Sequence, residues 1–220
     1  MAATGDQTEA RRGTVVLLSG GIESSTLLHQ EAAARIVYPL FVDYGQRAAR
    51  REVAAADAQT ASLGLSLKSL DMSRVGEGFR EGRERSLHVP LPHRNLPILA
   101  LALSYAAQVG AARISLALNA DDLQTYRSAG RAFMQAFRAL AATLEPVEVV
   151  TPLEDLSKAQ IIREGYKLDV DYAQTYSCLL GYPLQCGACP QCRKRRAAFT
   201  AAGLEDPAGY QRPAARTGAR

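Results

Sequence analysis

Residues 17–28 read Leu-Leu-Ser-Gly-Gly-Ile-Glu-Ser-Ser-Thr-Leu-Leu. Just upstream, Thr14-Val-Val-Leu-Leu18 is short, apolar and β-branched, the pattern of a buried strand. Ser19, Gly20 and Gly21 break that pattern. Ser24, Ser25 and Thr26 are helix-start residues, and the amphipathic stretch they open predicts a helix over 25–34. Strand, small-residue turn and helix start together present backbone N–H groups to an anion. Glycines let the backbone close on phosphate oxygens, hydroxyls add donors, and the helix N-terminus adds a favourable dipole. No Gly-Lys-Ser/Thr ends the loop, so it is not a Walker loop, and the G-x-G-x-x-G of dinucleotide sites is absent.

Outward from this corner, strands and helices alternate. Residues 36–43 and 65–70 read as strands, with an alanine-rich helix over 48–63 between them. Residues 71–88, rich in glycine and charge, read as a mobile loop closed by Pro90-Leu-Pro92. A helix over 96–109 is apolar enough to be expected away from the surface. A strand over 114–118, a helix over 129–144, a strand over 147–150 and a helix over 157–166 complete the pattern. The alternation predicts an α/β fold with a doubly wound parallel sheet covered on both faces. In such sheets ligands sit beyond the carboxyl ends of the strands. The segments 19–21, 43–47 and 119–122, each directly after a strand, are therefore expected to converge on one crevice.

A chain of 220 residues with 47% hydrophobic content is sized for one domain with a small appendage. No apolar run reaches the ~18 residues of a membrane span, and residues 1–12 lack the apolar centre of a signal peptide, so a cytoplasmic protein is expected. The net charge of +4 suits an anionic ligand. Much of the excess lies in Arg193-Lys-Arg-Arg196 and the tail, so nucleic acid is not an expected partner. The expected organisation is a flexible N-terminus (1–12), an α/β domain (13–172), a zinc-binding segment (173–210) and a flexible tail (211–220).

Cys178, Cys186, Cys189 and Cys192 are separated by seven, two and two residues. Four thiolates at these spacings can surround a tetrahedral zinc, with Gly187 easing the turn between Cys186 and Cys189. An iron–sulfur cluster is the competing reading, since C-x-x-C-x-x-C also serves clusters. A redox pair would need only one C-x-x-C. A zinc closed by four sulfurs has no open position and would be structural.

The loop resembles the SGG-x-D-S pyrophosphate loop of the N-type ATP pyrophosphatases, whose fold is the adenine nucleotide alpha hydrolase-like one. Taken with FVDYGQR, VPLPHRN, ALNADD, PLEDLSKAQII and TYSC followed by CGACPQCRKR, it resembles the 7-cyano-7-deazaguanine synthase family over about residues 14–210. The resemblance implies an ATP-dependent carbon–nitrogen ligase of queuosine biosynthesis. Such an enzyme converts a 7-carboxy-7-deazaguanine carboxylate to a nitrile through an acyl-adenylate and an amide, with Mg2+ and ammonia. It also implies site residues. Ser19, Gly20, Gly21, Ser24 and Ser25 would grip pyrophosphate, with Glu23 facing magnesium. Arg94, Asn95 and Lys158 would neutralise phosphate charge. Asp43, Tyr44 and Gln46 would line the adenosine end, and Asp121, Asp122 and Tyr126 the base. Members of the family commonly pair into dimers.

Two departures stand out. Glu23 replaces the family's aspartate, placing a carboxylate one methylene further out. Arg127-Ser-Ala-Gly130 replaces a Pro-Asp-Cys-Arg stretch near the deazapurine. These keep open a related ligase that couples the activated carboxylate to another amine, on a small molecule or a protein, or that stops at the amide. A zinc-bearing nucleotide or RNA binder using the basic run is the non-enzymatic reading. His29, His88 and His93 show no ligand spacing.

Overall fold

The computed structural model describes residues 13–80 and 90–211. The expected flexible N-terminus, the tail beyond Gln211, the later part of the 71–88 loop and His88 lie outside the described residues. Strand β1 (Thr14–Leu17) leads through the loop into α1 (Ile22–Ala32), followed by β2 (Val37–Asp43), α2 (Ala49–Ser62), β3 (Lys68–Asp71) and α3 (Ser73–Arg80). The chain resumes with α4 (Asn95–Val109), β4 (Arg113–Leu116), α5 (Ala120–Thr125), a 3-10 turn (Arg127–Ala129), α6 (Arg131–Ala142) and β5 (Glu148–Val150). Helix α7 (Lys158–Lys167), a second 3-10 turn (Tyr172–Gln174) and α8 (Pro190–Ala202) end it.

The five strands are parallel, in the order β3-β2-β1-β4-β5. The chain therefore winds outward from β1 through β3, crosses back, and winds the other way from β4. The switch falls between β1 and β4, which pair from Thr14 opposite Arg113 to Leu17 opposite Leu116. The period of two along β1 sends Val15 and Leu17 to one face and Val16 and Leu18 to the other. The first face packs on Leu99, Ala102 and Leu103 of α4 and Met134 and Phe137 of α6. The second packs on Ile22, Leu27 and Leu28 of α1, Ile161 and Ile162 of α7 and Phe199 of α8. Both faces are covered, as a parallel sheet requires.

Three expectations are corrected. Helix α1 begins at Ile22 rather than Ser25, because extended Gly21 already serves as its N-cap and its carbonyl accepts from Ser25 N at 3.0 Å. Residues 73–80 of the expected loop are helical. Gly76 permits this, for a Cβ there would lie 1.9 Å from the Tyr44 carbonyl oxygen. Helix α4 is not fully interior: Leu99, Ala102, Leu103 and Ala106 are buried while Leu96 is 48% exposed. Its hydrophobicity overstated its burial, since one face alone meets the sheet.

The C-terminal segment is tied to the main body. Arg195 is fully buried. Its Nε and Nη2 donate to Asp206 at 2.9–3.0 Å, Nη1 donates to Thr175 Oγ1 at 2.7 Å, and Nη2 also reaches the Tyr172 carbonyl at 2.9 Å. One arginine of the basic run is thus an internal strut. Arg196 stacks over Tyr210.

Candidate active site and metal centre

The loop after β1 holds itself open by hydroxyl contacts. Ser24 Oγ accepts from Ser19 N at 3.1 Å and lies 3.0 Å from Ser19 Oγ. Gly20 takes φ +70°, and a Cβ on it would sit 2.5 Å from the Glu52 carbonyl oxygen and 2.7 Å from the Ala55 Cβ. Only glycine fits between the loop and α2. The Gly20 carbonyl accepts from Tyr176 N at 2.8 Å, which anchors the loop to the cysteine-bearing segment.

Beneath the loop is an ion pair. Lys158 Nζ lies 2.7 Å from Glu23 Oε1, and Asn119 Nδ2 donates to the same oxygen at 2.8 Å. Both charged side chains are largely buried. Burial raises the Glu23 carboxyl, but the Lys158 charge and hydrogen bond, helped by Asn119, outweigh it and hold the carboxyl below its ordinary value. Burial likewise lowers the Lys158 ammonium, and Glu23 more than offsets this, leaving it above its ordinary value. Lys158 is aimed inward because Ser157 caps α7: Ser157 Oγ accepts from Gln160 N, and the Gln160 side chain accepts from Ser157 N at 2.9 Å. Asn119 caps α5 in the same manner, accepting from Asp121 N and Asp122 N. Burial first, then the Glu23 charge, raises the Asp122 carboxyl.

These groups open into a cavity of about 530 Å³ beyond the carboxyl ends of the strands. Ser19, Gly21, Glu23, Ser24, Lys158 and Asp122 form one part of its wall, and the apolar ends of β1, β2 and β4 another. Tyr44, Gln46, Arg94, Asn95 and Tyr126 also line it. The Arg94 guanidinium stacks over Tyr126, 5.4 Å from the ring centre. Asn95 Nδ2 donates to the Ser128 carbonyl at 2.9 Å, joining α4 to the altered 127–130 stretch. Gln46 accepts from Tyr44 N and donates to Glu52, both at 2.9 Å. Burial pushes the Tyr44 hydroxyl above its ordinary value.

Four of the expected residues stand apart from the cavity wall. Gly20 faces α2, Ser25 is buried within α1, Asp43 accepts from Gly45 N at 2.8 Å, and Asp121 sits exposed on α5. Sequence reasoning placed segment 119–122 at the crevice but did not foresee the Asn119 contact with Glu23, and it missed Glu52, His93, Tyr176, Ser177, Leu179 and Gln191 as cavity wall. The capping pattern Asn119-x-x-Asp122 was a usable signal for the first. His29, by contrast, is a buried brace between the Leu168 carbonyl and Gln59.

The four cysteine sulfurs lie within 4.8 Å of one another. Gly187 takes φ +70° between Cys186 and Cys189, and Pro190 starts α8 directly after Cys189. Backbone N–H groups of Leu180 and Cys186 point at Cys178 Sγ, those of Ala188 and Cys189 at Cys186 Sγ, and that of Cys192 at Cys189 Sγ. Donors aimed at sulfur favour thiolates, so the set fits a metal ion bound by four sulfurs.

The protein is of the α/β class, with a doubly wound parallel sheet and a Ser-Gly-Gly loop at the end of its central strand. Its fold is similar to NMN synthetase from Francisella tularensis, at TM-score 0.55 and 15% identity over 91% of this chain and 81% of that one. It is similar also to the U34-tRNA thiolase NcsA from Methanococcus maripaludis, at TM-score 0.51 and 14% identity over 90% and 67%. The family model described as "Queuosine biosynthesis protein QueC" matches residues 13–203, and the chain belongs to that family. A relative from Thiobacillus denitrificans, named 7-cyano-7-deazaguanine synthase, is 39% identical over 90% of this chain and 98% of its own length. No helix among the described residues is long and apolar enough to cross a membrane.

Proposed function

We propose that this protein converts 7-carboxy-7-deazaguanine to the 7-cyano compound, consuming ATP and ammonia and passing through an acyl-adenylate and an amide. The observation that carries this reading is the buried Lys158–Glu23–Asn119 network directly beneath a glycine loop, on the wall of a cavity that also offers apolar strand ends. A carboxylate is a poor electrophile until its oxygen becomes part of a leaving group. Adenylation supplies that leaving group, and it needs mainly positioning and charge stabilisation.

In this reading Ser19, Gly21 and Ser24 hold the pyrophosphate, with Gly20 and Ser25 shaping the loop around it. Lys158, Arg94 and Asn95 face its charge. Tyr44 and Gln46 border the adenosine, with Asp43 fixing their turn. Asp122 and Tyr126 receive the base edge, with Asp121 on the same turn. Magnesium would be held through the Glu23 oxygen not engaged by Lys158, and would neutralise phosphate charge. The cysteine set would hold a structural zinc, which keeps Tyr176 and the loop contact in place.

The test is incubation of purified protein with ATP, Mg2+ and 7-carboxy-7-deazaguanine, with and without ammonia, followed by mass spectrometry. The nitrile, AMP and pyrophosphate are expected with ammonia, and AMP with pyrophosphate at a lower level without it. Absence of any substrate-dependent pyrophosphate would overturn the proposal.

A further inference from the structure

Glu52 has no part in the account above. It stands in the first turn of α2 and lines the cavity. Its backbone abuts the phosphate-type loop, as the 2.5 Å approach of a Gly20 Cβ to its carbonyl shows. Its carboxylate is held by one neutral donor: Gln46 Nε2 reaches Oε2 at 2.9 Å, and Gln46 is itself fixed by accepting from Tyr44 N. The other oxygen makes no hydrogen bond, and no cation comes within ion-pair distance, among the described residues. A carboxylate oriented on one side, open on the other and unpaired at a cavity wall is arranged to take up a proton or a cation from the cavity.

Resting on the proposed function, we infer that Glu52 binds the incoming ammonium and accepts its proton. The ammonium gives one proton to the Glu52 carboxylate, which frees the nitrogen lone pair. That pair attacks the acyl-adenylate carbonyl carbon, the C–N bond forms, and the bond from carbon to the phosphate oxygen breaks with its electrons on AMP. The nitrogen's second surplus proton leaves with the AMP phosphate, so atoms and charge balance. Burial pushes the Glu52 carboxyl up to about 7; the Gln46 hydrogen bond and the Arg94 charge pull it down, and Asp43 adds to the rise. Tyr44 is a further titratable group beside it among the described residues. A base poised near neutrality suits this transfer.

The experiment compares full-length, metal-loaded wild type, Glu52→Gln and Glu52→Asp with ATP, Mg2+ and 7-carboxy-7-deazaguanine. Two nucleophiles are used: ammonium, and hydroxylamine, which is mostly unprotonated at neutral pH and needs no proton acceptor to attack. Glu52→Gln is expected to lower ammonium-dependent turnover at least about hundredfold, while hydroxamate formation falls less than about threefold. Glu52→Asp, keeping a carboxylate, is expected to fall between wild type and Glu52→Gln with ammonium. Equal loss for both nucleophiles, or no loss for either, overturns the inference. Circular dichroism checks folding, and should Glu52→Gln fail to fold, the ratio of ammonium to hydroxylamine rates in Glu52→Asp decides: a ratio unchanged from wild type overturns the inference. A wild type that releases no pyrophosphate with this substrate sinks the proposed function itself, a distinct result.

Discussion

Replacing Lys158 with Met removes one half of the buried pair beneath the loop and keeps most of the side-chain volume. Glu23 would then retain only the Asn119 hydrogen bond on an oxygen that Lys158 now approaches to 2.7 Å. Breaking a buried pair from one side costs about 3–5 kcal/mol, because the remaining charge keeps its desolvation penalty. For a chain of this size that corresponds to a melting temperature lower by roughly 10 °C. The pH dependence fixes the cause. In the native protein the Glu23 carboxyl lies below its ordinary value, so its contribution to stability is present above the unfolded-state pKa and lost as pH falls through the folded one. Without Lys158 the burial effect remains and raises the carboxyl, so the variant gains stability relative to wild type as pH falls through the carboxylate range. Urea unfolding near pH 7 and near pH 5 would show a gap between the two proteins that narrows at the lower pH. Adding Glu23→Gln to the variant would recover most of the loss near pH 7. A cost below about 1 kcal/mol, within the range of an exposed pair, or a gap equal at both pH values, would refute the assignment of a buried, interdependent pair.

Other outcomes are expected at the same site and at the cysteines. Gly21→Val, in a loop position where a Cβ already meets Ser19 Oγ at 3.4 Å, should abolish ATP-dependent pyrophosphate release in a protein whose circular dichroism is unchanged. Purified protein should be colourless and hold close to one zinc per chain by elemental analysis. Cys192→Ser should lose the zinc and several kcal/mol of stability, whereas a brown preparation containing iron and sulfide would establish a cluster instead. Asp122→Ala should weaken binding of the deazaguanine acid by roughly 1.5–3 kcal/mol, the worth of a charge-assisted hydrogen bond, with ATP binding nearly unchanged in calorimetric titration. Equal loss for both ligands would mark the 121–130 stretch as a structural support.

The sheet was legible because apolar, β-branched runs such as Thr14-Val-Val-Leu-Leu18 recur between helical patterns, and burial on both faces leaves few other ways to pair them. The convergence of loop, β2 exit and β4 exit followed from topology alone, and Ser19, Gln46 and Asp122 do share one cavity. What stayed hidden depended on three-dimensional neighbours. Helix α3 contains two glycines and could be recognised only through the close approach of Gly76 to Tyr44. Arg195 read as one of four consecutive basic residues, and nothing local marks it as the one that meets Asp206 inside the protein. Glu52 lay inside an alanine-rich helix with no motif to single it out, for its seat against Gly20 depends on how α2 crosses the loop.

The placement of Phe199 has a consequence for synthesis on the ribosome. Val16 and Leu18 emerge within the first tenth of the chain, yet part of the cover on their side of the sheet comes from Ile161 and Ile162, about three quarters of the way along, and from Phe199, about nine tenths of the way. Until those residues leave the exit tunnel, a nascent chain carrying the β1–β2 pair has that face covered only in part, by Ile22, Leu27 and Leu28 of α1. Such contacts, distant in sequence, form late and leave the unfinished chain open to aggregation. Packing of α8 on this face therefore ends the period in which the newborn chain is most open to aggregation. A stop codon shortly before Pro190 is expected to yield an aggregation-prone product, with the loop residues all present.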